Sequence, residues 1–306
     1  MALFNKRETL VQNIAYMALM AAINVIFVLL TAVLPPLMFL IVFILPLTSA
    51  IVTLFCKKRY FPIYFVVTVG LCLLTTSAIY IWDTFFYVLP SLITGFVFGA
   101  LVEKRVPALY IILISTILQY VISFLTFLIL DAILPELNFI DALLNIFGLG
   151  EFAFKTTFVH IFLYVLSSIQ TAFAYFIIRN EIKKLGFEVN LEIKLPILLF
   201  GLTLVICAAA VVMIFVYDPL VYVFIAMNLP LLVYQIIDII FTRSKLNYIL
   251  GGIALIIGAA IFIGFYNFLP HPNAIILLAP LYVLIGAIYF GNYLFNKETK
   301  NDKINC

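Results

Sequence analysis

Charged residues are scarce in this sequence. Only 10% of its 306 residues are Asp, Glu, Lys or Arg, whereas 66% are hydrophobic. A soluble domain carries about 25% charged residues, because its surface needs polar cover. The scarcity excludes a water-soluble fold of this length and predicts a protein whose solvent is the lipid bilayer. The net charge of +3 resides in short clusters between apolar runs, which indicates membrane topology and no binding of nucleic acid.

Residues suited to catalysis or metal binding are scarce too. The chain has two His and four Cys, and the cysteines match no zinc or CxxC spacing. A Walker A loop, HExxH, GxSxG and a paired acidic motif for metal-dependent chemistry are all absent from the sequence. We therefore predict no cofactor, no bound metal and no enzymatic activity.

Long apolar runs make up most of the chain. The hydrocarbon core is about 30 Å thick, so a helical span needs about 20 apolar residues. Runs of roughly this length cover 10–33, 37–55, 61–80, 85–102, 107–130, 156–178, 195–216, 221–241, 248–269 and 273–295. In lipid, an open chain can satisfy its backbone only as helices. We predict an all-α, polytopic transmembrane helix bundle of about ten spans.

The distribution of charge predicts the orientation of these spans. If the N-terminus is cytoplasmic and the sides alternate, every Lys and Arg except Lys155 lies on the cytoplasmic side. The outer loops are then acidic, with Asp83, Asp131, Glu136, Asp141, Glu151 and Asp218. This asymmetry follows the positive-inside rule. We expect cytoplasmic N- and C-termini in a cell membrane, specifically a bacterial plasma membrane.

Two segments interrupt the regular order of spans. Residues 179–194 form the longest cytoplasmic loop and divide a six-helix block, 1–178, from a four-helix block with a short cytoplasmic tail, 195–306. The outer stretch 131–155 contains an apolar segment, 137–150, that is too short to span. This segment either lies on the membrane surface or enters the membrane from outside.

Polar side chains recur on one face of several runs. The sixth run has Thr157, His160, Tyr164, Ser168, Thr171 and Tyr175, and the fifth has Thr116, Gln119, Ser123 and Thr126. In lipid such faces turn toward other helices or a wet cavity. One interpretation is interhelical hydrogen bonding, at about 0.6 kcal/mol per contact. The other is a pocket for a small solute, open to the outside, with the candidate residues Trp82, Asp83, Gln119, Glu151, Lys155, His160 and Tyr164.

Asp238 is the only acidic residue well inside a predicted span. A carboxylate in the membrane is a candidate for ion coupling. Asp238 is also only about 7 Å of helix rise from Arg243, so its side chain could instead extend to the cytoplasmic edge. Both interpretations stay open.

Small residues and helix layout together carry a family resemblance. The first run, MALMAAINVIFVLL, has an AxxxA at Ala18 and Ala22, and the fourth, LPSLITGFVFGALVEKR, has a GxxxG. With the short, proline-bearing second run, this layout resembles the substrate-capture (S) components of energy-coupling-factor transporters. The whole layout, six helices followed by a further hydrophobic block, is most similar to the YybS-type membrane proteins, which share that fold. The resemblance covers roughly 10–178 and implies that Ala18 and Ala22 dock on coupling (ATPase) subunits. The four additional helices depart from an ordinary S component.

Three functions are compatible with these patterns. The first is a small-solute binding or transport component that depends on a partner for energy. The second is a self-contained secondary transporter built from five plus five inverted helices, with Asp238 as the coupling group. The third is a non-transporting membrane scaffold or assembly protein, whose polar faces only join helices.

Overall fold

The computed structural model describes residues 7–34, 38–75, 87–133, 140–141, 144, 155–184, 196–241, 245–265 and 276–302. No strand occurs within these ranges. Their helices are α1 (Leu10–Val33), α2 (Met38–Phe55), α3 (Phe61–Thr75), α4 (Leu89–Glu103), α5 (Ala108–Ile133), α6 (Lys155–Lys184), α7 (Pro196–Val216), α8 (Asp218–Phe241), α9 (Lys245–Phe265) and α10 (Ala279–Asp302). The prediction of an all-helical chain is confirmed for the part that the structure describes, and each apolar run coincides with one of these helices.

Seven stretches among the described helices are long and apolar enough to cross a bilayer. They are Leu10–Thr31, Lys58–Thr75, Ala108–Ile133, Thr157–Arg179, Pro196–Val216, Pro219–Ile240 and Ile276–Leu294. Three further helices are apolar but shorter, namely Ile44–Phe55, Leu89–Glu103 and Ile249–Ile261. The structure thus has the helices of a multi-pass membrane protein.

Helix ends follow from local sequence. α1 starts with a capping box, in which the Gln12 N–H donates to Thr9 Oγ1 at 3.3 Å and the Thr9 N–H donates to Gln12 Oε1 at 3.4 Å. These bonds satisfy N–H groups that a helix start leaves unpaired. Pro90 lies in the first turn of α4, where a missing N–H costs nothing.

Apolar side chains lie on the surface of this protein and polar side chains in its interior, the reverse of a soluble protein. Large apolar side chains are exposed along the helices, for example Leu74 at 83% and Phe215 at 85%. Asparagine, glutamine, serine and threonine side chains are buried instead. Water would penalise this arrangement, whereas lipid favours it. The chain therefore has the exterior of a membrane-embedded helical protein.

The chain divides into two compact units. The first contains Met1–Glu151 and Leu166–Asn190, and the second contains Phe152–Val165 and Leu191–Cys306. In the first unit, α2 packs against α1 and α4, α1 against α3, and α4 against α5. In the second, α7 packs against α8 and α10, and α9 against α10.

Glycines on α4 allow its close approach to α2. A Cβ added at Gly99 would lie 2.7 Å from the Ala50 carbonyl oxygen and 2.9 Å from Thr53 Cβ. At Gly95 it would lie 2.8 Å from Ser49 Cβ. Only glycine fits at such distances, so the GxxxG of the fourth run is the contact face between these two helices.

Candidate functional site

A chain of hydrogen bonds crosses the interior of the first unit and joins α4, α5 and α6. Gln170 Nε2 donates to Ser91 Oγ at 2.9 Å, and Gln119 Nε2 donates to Gln170 Oε1 at 3.0 Å. Thr94 Oγ1 donates to Gln119 Oε1. All four side chains are at most 3% exposed. We call Ser91, Thr94, Gln119 and Gln170 the glutamine layer.

Chemically, the glutamine layer is neutral and offers both donors and acceptors. Amide groups can bond a solute through N–H and C=O at the same time. Each amide here is paired with another side chain, so a solute would have to replace those bonds with its own. The arrangement suits a small, uncharged polar solute, because the four side chains carry no charge.

A second bridge between α5 and α6 lies close in sequence to the glutamine layer. Thr116 Oγ1 and Thr171 Oγ1 are 2.8 Å apart, and both residues are buried. These two residues belong to the polar faces that the sequence predicted. Hydroxyl pairs of this kind are common between membrane helices, so the bridge by itself indicates only helix packing.

Polar side chains also join α1, α2 and α3. Asn24 Nδ2 donates to the Tyr64 hydroxyl at 2.8 Å, and Thr48 Oγ1 donates to Asn24 Oδ1 at 2.8 Å. Asn24 is completely buried. This triad of Asn24, Thr48 and Tyr64 satisfies its own members, so it indicates helix packing.

The start of α1 is fastened to the end of α2. Asn13 Nδ2 donates to the carbonyl oxygens of Arg7 at 3.1 Å and Thr9 at 2.7 Å, while Asn13 Oδ1 accepts from the Lys57 N–H at 2.8 Å. The Arg7 guanidinium lies 4.2 Å from the centre of the Tyr16 ring. Burial raises the pKa of the neighbouring Cys56 to about 11, against the opposing effect of Arg7. Cys56 is therefore a neutral thiol at physiological pH.

The second unit has its own buried polar face, which runs along α8. Asn228 Nδ2 donates to Cys207 Sγ at 3.4 Å, and Gln235 Nε2 donates to Thr203 Oγ1 at 3.3 Å. Both amide side chains are completely buried. Asp238, one turn beyond Gln235, is half-buried. Asn228 and Gln235 therefore face α7 and the interior of this unit.

The predicted site residues are distributed over both units. Gln119 is part of the glutamine layer of the first unit. Lys155, His160 and Tyr164 are half-buried and belong to the second unit. Trp82, Asp83 and Glu151 lie outside the described residues. The same is true of the predicted outer segment 137–150, apart from helical residues 140, 141 and 144.

Ala18 and Ala22 are exposed on α1, whereas the neighbouring Ala21 is buried. Ala18 also lines an apolar groove of about 80 Å³ between α1 and α3, together with Ile14, Met17, Ile63 and Val67. The small side chains thus leave this face of α1 open to lipid or to another helix.

Gln170, Asn24 and Asn13 were missed by sequence reasoning. Each is an amide within or beside an apolar run, and amides in lipid are expected to find partners. That composition signal alone could have singled them out. Compared with known proteins, the chain matches no family model, no curated protein and no solved structure. The fold and its buried polar residues therefore define a class, the multi-pass helical membrane proteins.

Proposed function

We propose that this protein binds a small, neutral polar solute at the glutamine layer and acts in its uptake across a bacterial plasma membrane. The observation that carries the proposal is the chain from Thr94 through Gln119 and Gln170 to Ser91. Four uncharged polar side chains from three helices meet there, out of contact with solvent. The topology proposed with it has about ten spans and cytoplasmic ends.

Energetics allow the layer to open for a solute. Hydrogen bonds between membrane helices contribute about 0.6 kcal/mol on average and at most about 1.7. A solute that offers equivalent donors and acceptors recovers that energy, while an apolar molecule leaves the amides unpaired at about 1–3 kcal/mol each. The layer would therefore select polar solutes over apolar ones of the same size.

The test is a thermal-shift screen of the purified protein in nanodiscs against small polar metabolites. We expect at least one to raise the melting temperature, and we expect the shift to disappear in a Gln119→Leu, Gln170→Leu double variant. The double variant removes both ends of the Gln119–Gln170 bond, and the Ser91 and Thr94 hydroxyls that remain can bond carbonyl oxygens of their own helix, so the double variant should still fold. The matched control is Thr116→Val with Thr171→Val, which removes a buried pair and should keep the shift.

Uptake would need an energised partner in this proposal, because the sequence has no nucleotide-binding loop. The partner would be a coupling (ATPase) subunit that packs on Ala18 and Ala22, two small side chains exposed on α1. Ala18→Trp with Ala22→Trp should then abolish co-purification of that subunit in gentle detergent. Unchanged co-purification, or a chain that purifies alone, would contradict partner dependence.

Two other functions give different outcomes in these experiments. A scaffold protein would show no thermal shift with any solute. The observation in favour of a scaffold is that the amides of the glutamine layer are already paired with each other. A self-contained 5+5 transporter is favoured by Asp238 within α8. It would take up solute alone in liposomes and would lose that activity in Asp238→Asn.

A further inference from the structure

Within the described residues, two buried amides of α8 each have an acceptor oxygen without a hydrogen-bond partner. Asn228 and Gln235 use their N–H groups on Cys207 and Thr203. These bonds fix the orientation of both amides and direct Asn228 Oδ1 and Gln235 Oε1 away from α7. Neither oxygen accepts a bond from another residue in the described structure. An unpaired buried acceptor costs about 1–3 kcal/mol, and a bound cation or donor would offset that cost.

These oxygens lie on one side of α8 in a short column with Asp238. Asn228 and Gln235 are two turns apart, about 10 Å along the axis, and Asp238 is one turn further. Gln235 Oε1 faces Gly286 of α10, since a Cβ added at Gly286 would lie 3.7 Å from it. A Cβ there would also lie 2.9 Å from the Phe200 ring, so the lack of a side chain at Gly286 lets both Phe200 of α7 and the Gln235 oxygen approach α10 closely.

The next turn of α10 carries the hydroxyl of Tyr289, on the side of the helix where Gly286 faces Gln235. Tyr289, three residues after Gly286, lies in the neighbourhood of Asp238, and its hydroxyl is hydrogen-bonded to that of Tyr234. The rings of these two tyrosines are 6.1 Å apart in an edge-to-face arrangement. A carboxylate, a buried amide oxygen and two phenolic hydroxyls thus lie on neighbouring turns of the packed helices α8 and α10.

The sequence supplies this region with no basic side chain from the helices that form it. No Lys, Arg or His occurs between Lys194 and Arg243, nor between His271 and Lys297. Hard oxygen ligands bind hard cations. A single carboxylate among neutral oxygens matches a monovalent ion better than a divalent one, because calcium sites use several acidic ligands.

We infer that Gln235 Oε1, the Asp238 carboxylate and the Tyr289 hydroxyl form a binding site for a monovalent cation, either sodium or a proton. Asn228 Oδ1 is a second unpaired acceptor among the described residues, two turns of α8 away. The site lies wholly within the second unit. It does not depend on solute binding at the glutamine layer, and either proposal can fail without the other.

The experiment measures melting temperature of the full chain in nanodiscs in sodium chloride, potassium chloride and N-methylglucamine chloride at equal ionic strength. Sodium should raise the melting temperature in the wild type, and Gln235→Leu or Asp238→Asn should weaken the apparent affinity about tenfold or more. Asn24→Leu, which removes a buried amide of the first unit outside the glutamine layer, is the matched control and should keep the sodium effect.

A pH titration distinguishes the proton from sodium. The titratable groups that α7, α8 and α10 bring to this interior, in the described part, are Asp238, Tyr234, Tyr289, Cys207 and Tyr282. If the ion is a proton, sodium has no effect, and infrared difference spectra between acidic and neutral pH show a carboxyl band that is absent in Asp238→Asn. Equal melting temperatures in all three salts, together with no such band, would overturn the proposal. Asp238→Glu keeps the charge and should bind sodium or titrate if the protein folds.

Discussion

At the scale of single residues, buried amides organise the interior of this protein. Asparagine and glutamine each bring a donor and an acceptor, so one amide can connect two other helices. Asn24 does this for α2 and α3, and Gln119 does it for α4 and α6. Hydroxyl groups, by contrast, often return their bond to the preceding turn of their own helix, as Thr53 does to Ser49.

The Asn24 triad provides a prediction at this scale. Tyr64→Phe removes one hydroxyl, and we expect a loss of about 0.6 kcal/mol, the average for hydrogen bonds between membrane helices. Asn24→Leu should cost more, about 1–3 kcal/mol, because it leaves the buried Thr48 and Tyr64 hydroxyls without the amide. Equilibrium unfolding in mixed micelles measures both. Equal losses in the two variants would show that Asn24 does not hold the triad together.

Sequence reasoning identified Gln119 and missed its partner for a geometric reason. The polar face predicted on the sixth run includes Ser168 and Thr171, and Gln170 lies about 100° around the helix from Thr171. A face defined by periodicity excludes it. The long glutamine side chain nevertheless reaches both Ser91 and Gln119. Periodicity describes where Cβ atoms point, whereas a flexible side chain can extend beyond that direction.

At the scale of helices, hydropathy predicts positions well and partners poorly. α1 has the predicted bounds of the first run, and α7 begins one residue after the predicted start at 195. Length and apolar content suffice for this, because the membrane requires a continuous helix. The choice of partner is different, since lipid tails are as apolar as leucine and provide no hydrophobic force between helices. Pairing depends on local shape, such as Gly95 and Gly99 of α4 against α2.

Glycine positions allow a matched test of that pairing. Gly99→Ala should destabilise the protein by about 1–3 kcal/mol, because the new methyl group overlaps the Ala50 carbonyl oxygen. Gly70→Ala is the control, since a Cβ there meets nothing within 4 Å, and it should be neutral or stabilising by about 0.5–1 kcal/mol. Thermal unfolding of both variants in the same detergent provides the comparison. Similar losses at the two sites would contradict the close approach of α4 to α2.

At the scale of the whole molecule, charge and burial provide separate information. The positive-inside pattern predicts which ends of the helices are cytoplasmic, while the exposed apolar side chains and buried amides describe the exterior and interior of each unit. The proposed boundary at 179–194 came from the length of a loop. The compact units are defined by contacts between residues that are distant in sequence. The length of a loop does not predict which distant residues are in contact.

Thiol labelling tests the predicted topology. Lys104 is exposed in the turn after α4 and Tyr217 is 53% exposed before α8, and the topology places these positions on opposite sides. Tyr217→Cys should react with an impermeant maleimide in intact cells, whereas Lys104→Cys should react only after lysis. Cys56, Cys72 and Cys207 are buried, so a Cys306→Ser background keeps the signal specific. Labelling of both sites in intact cells would contradict the alternating order of spans.

The contact between α2 and α4 also has a consequence for biosynthesis. Ribosomes deliver α2 to the translocon first, and its partner α4 begins 34 residues after the end of α2, at Leu89. Until then, Ser49 and Thr53 face lipid or the translocon wall, and the Ser49 hydroxyl lacks the Leu92 carbonyl that it bonds at 2.6 Å in the folded protein. A nascent chain that ends before α4 therefore lacks the glycine face against which α2 packs.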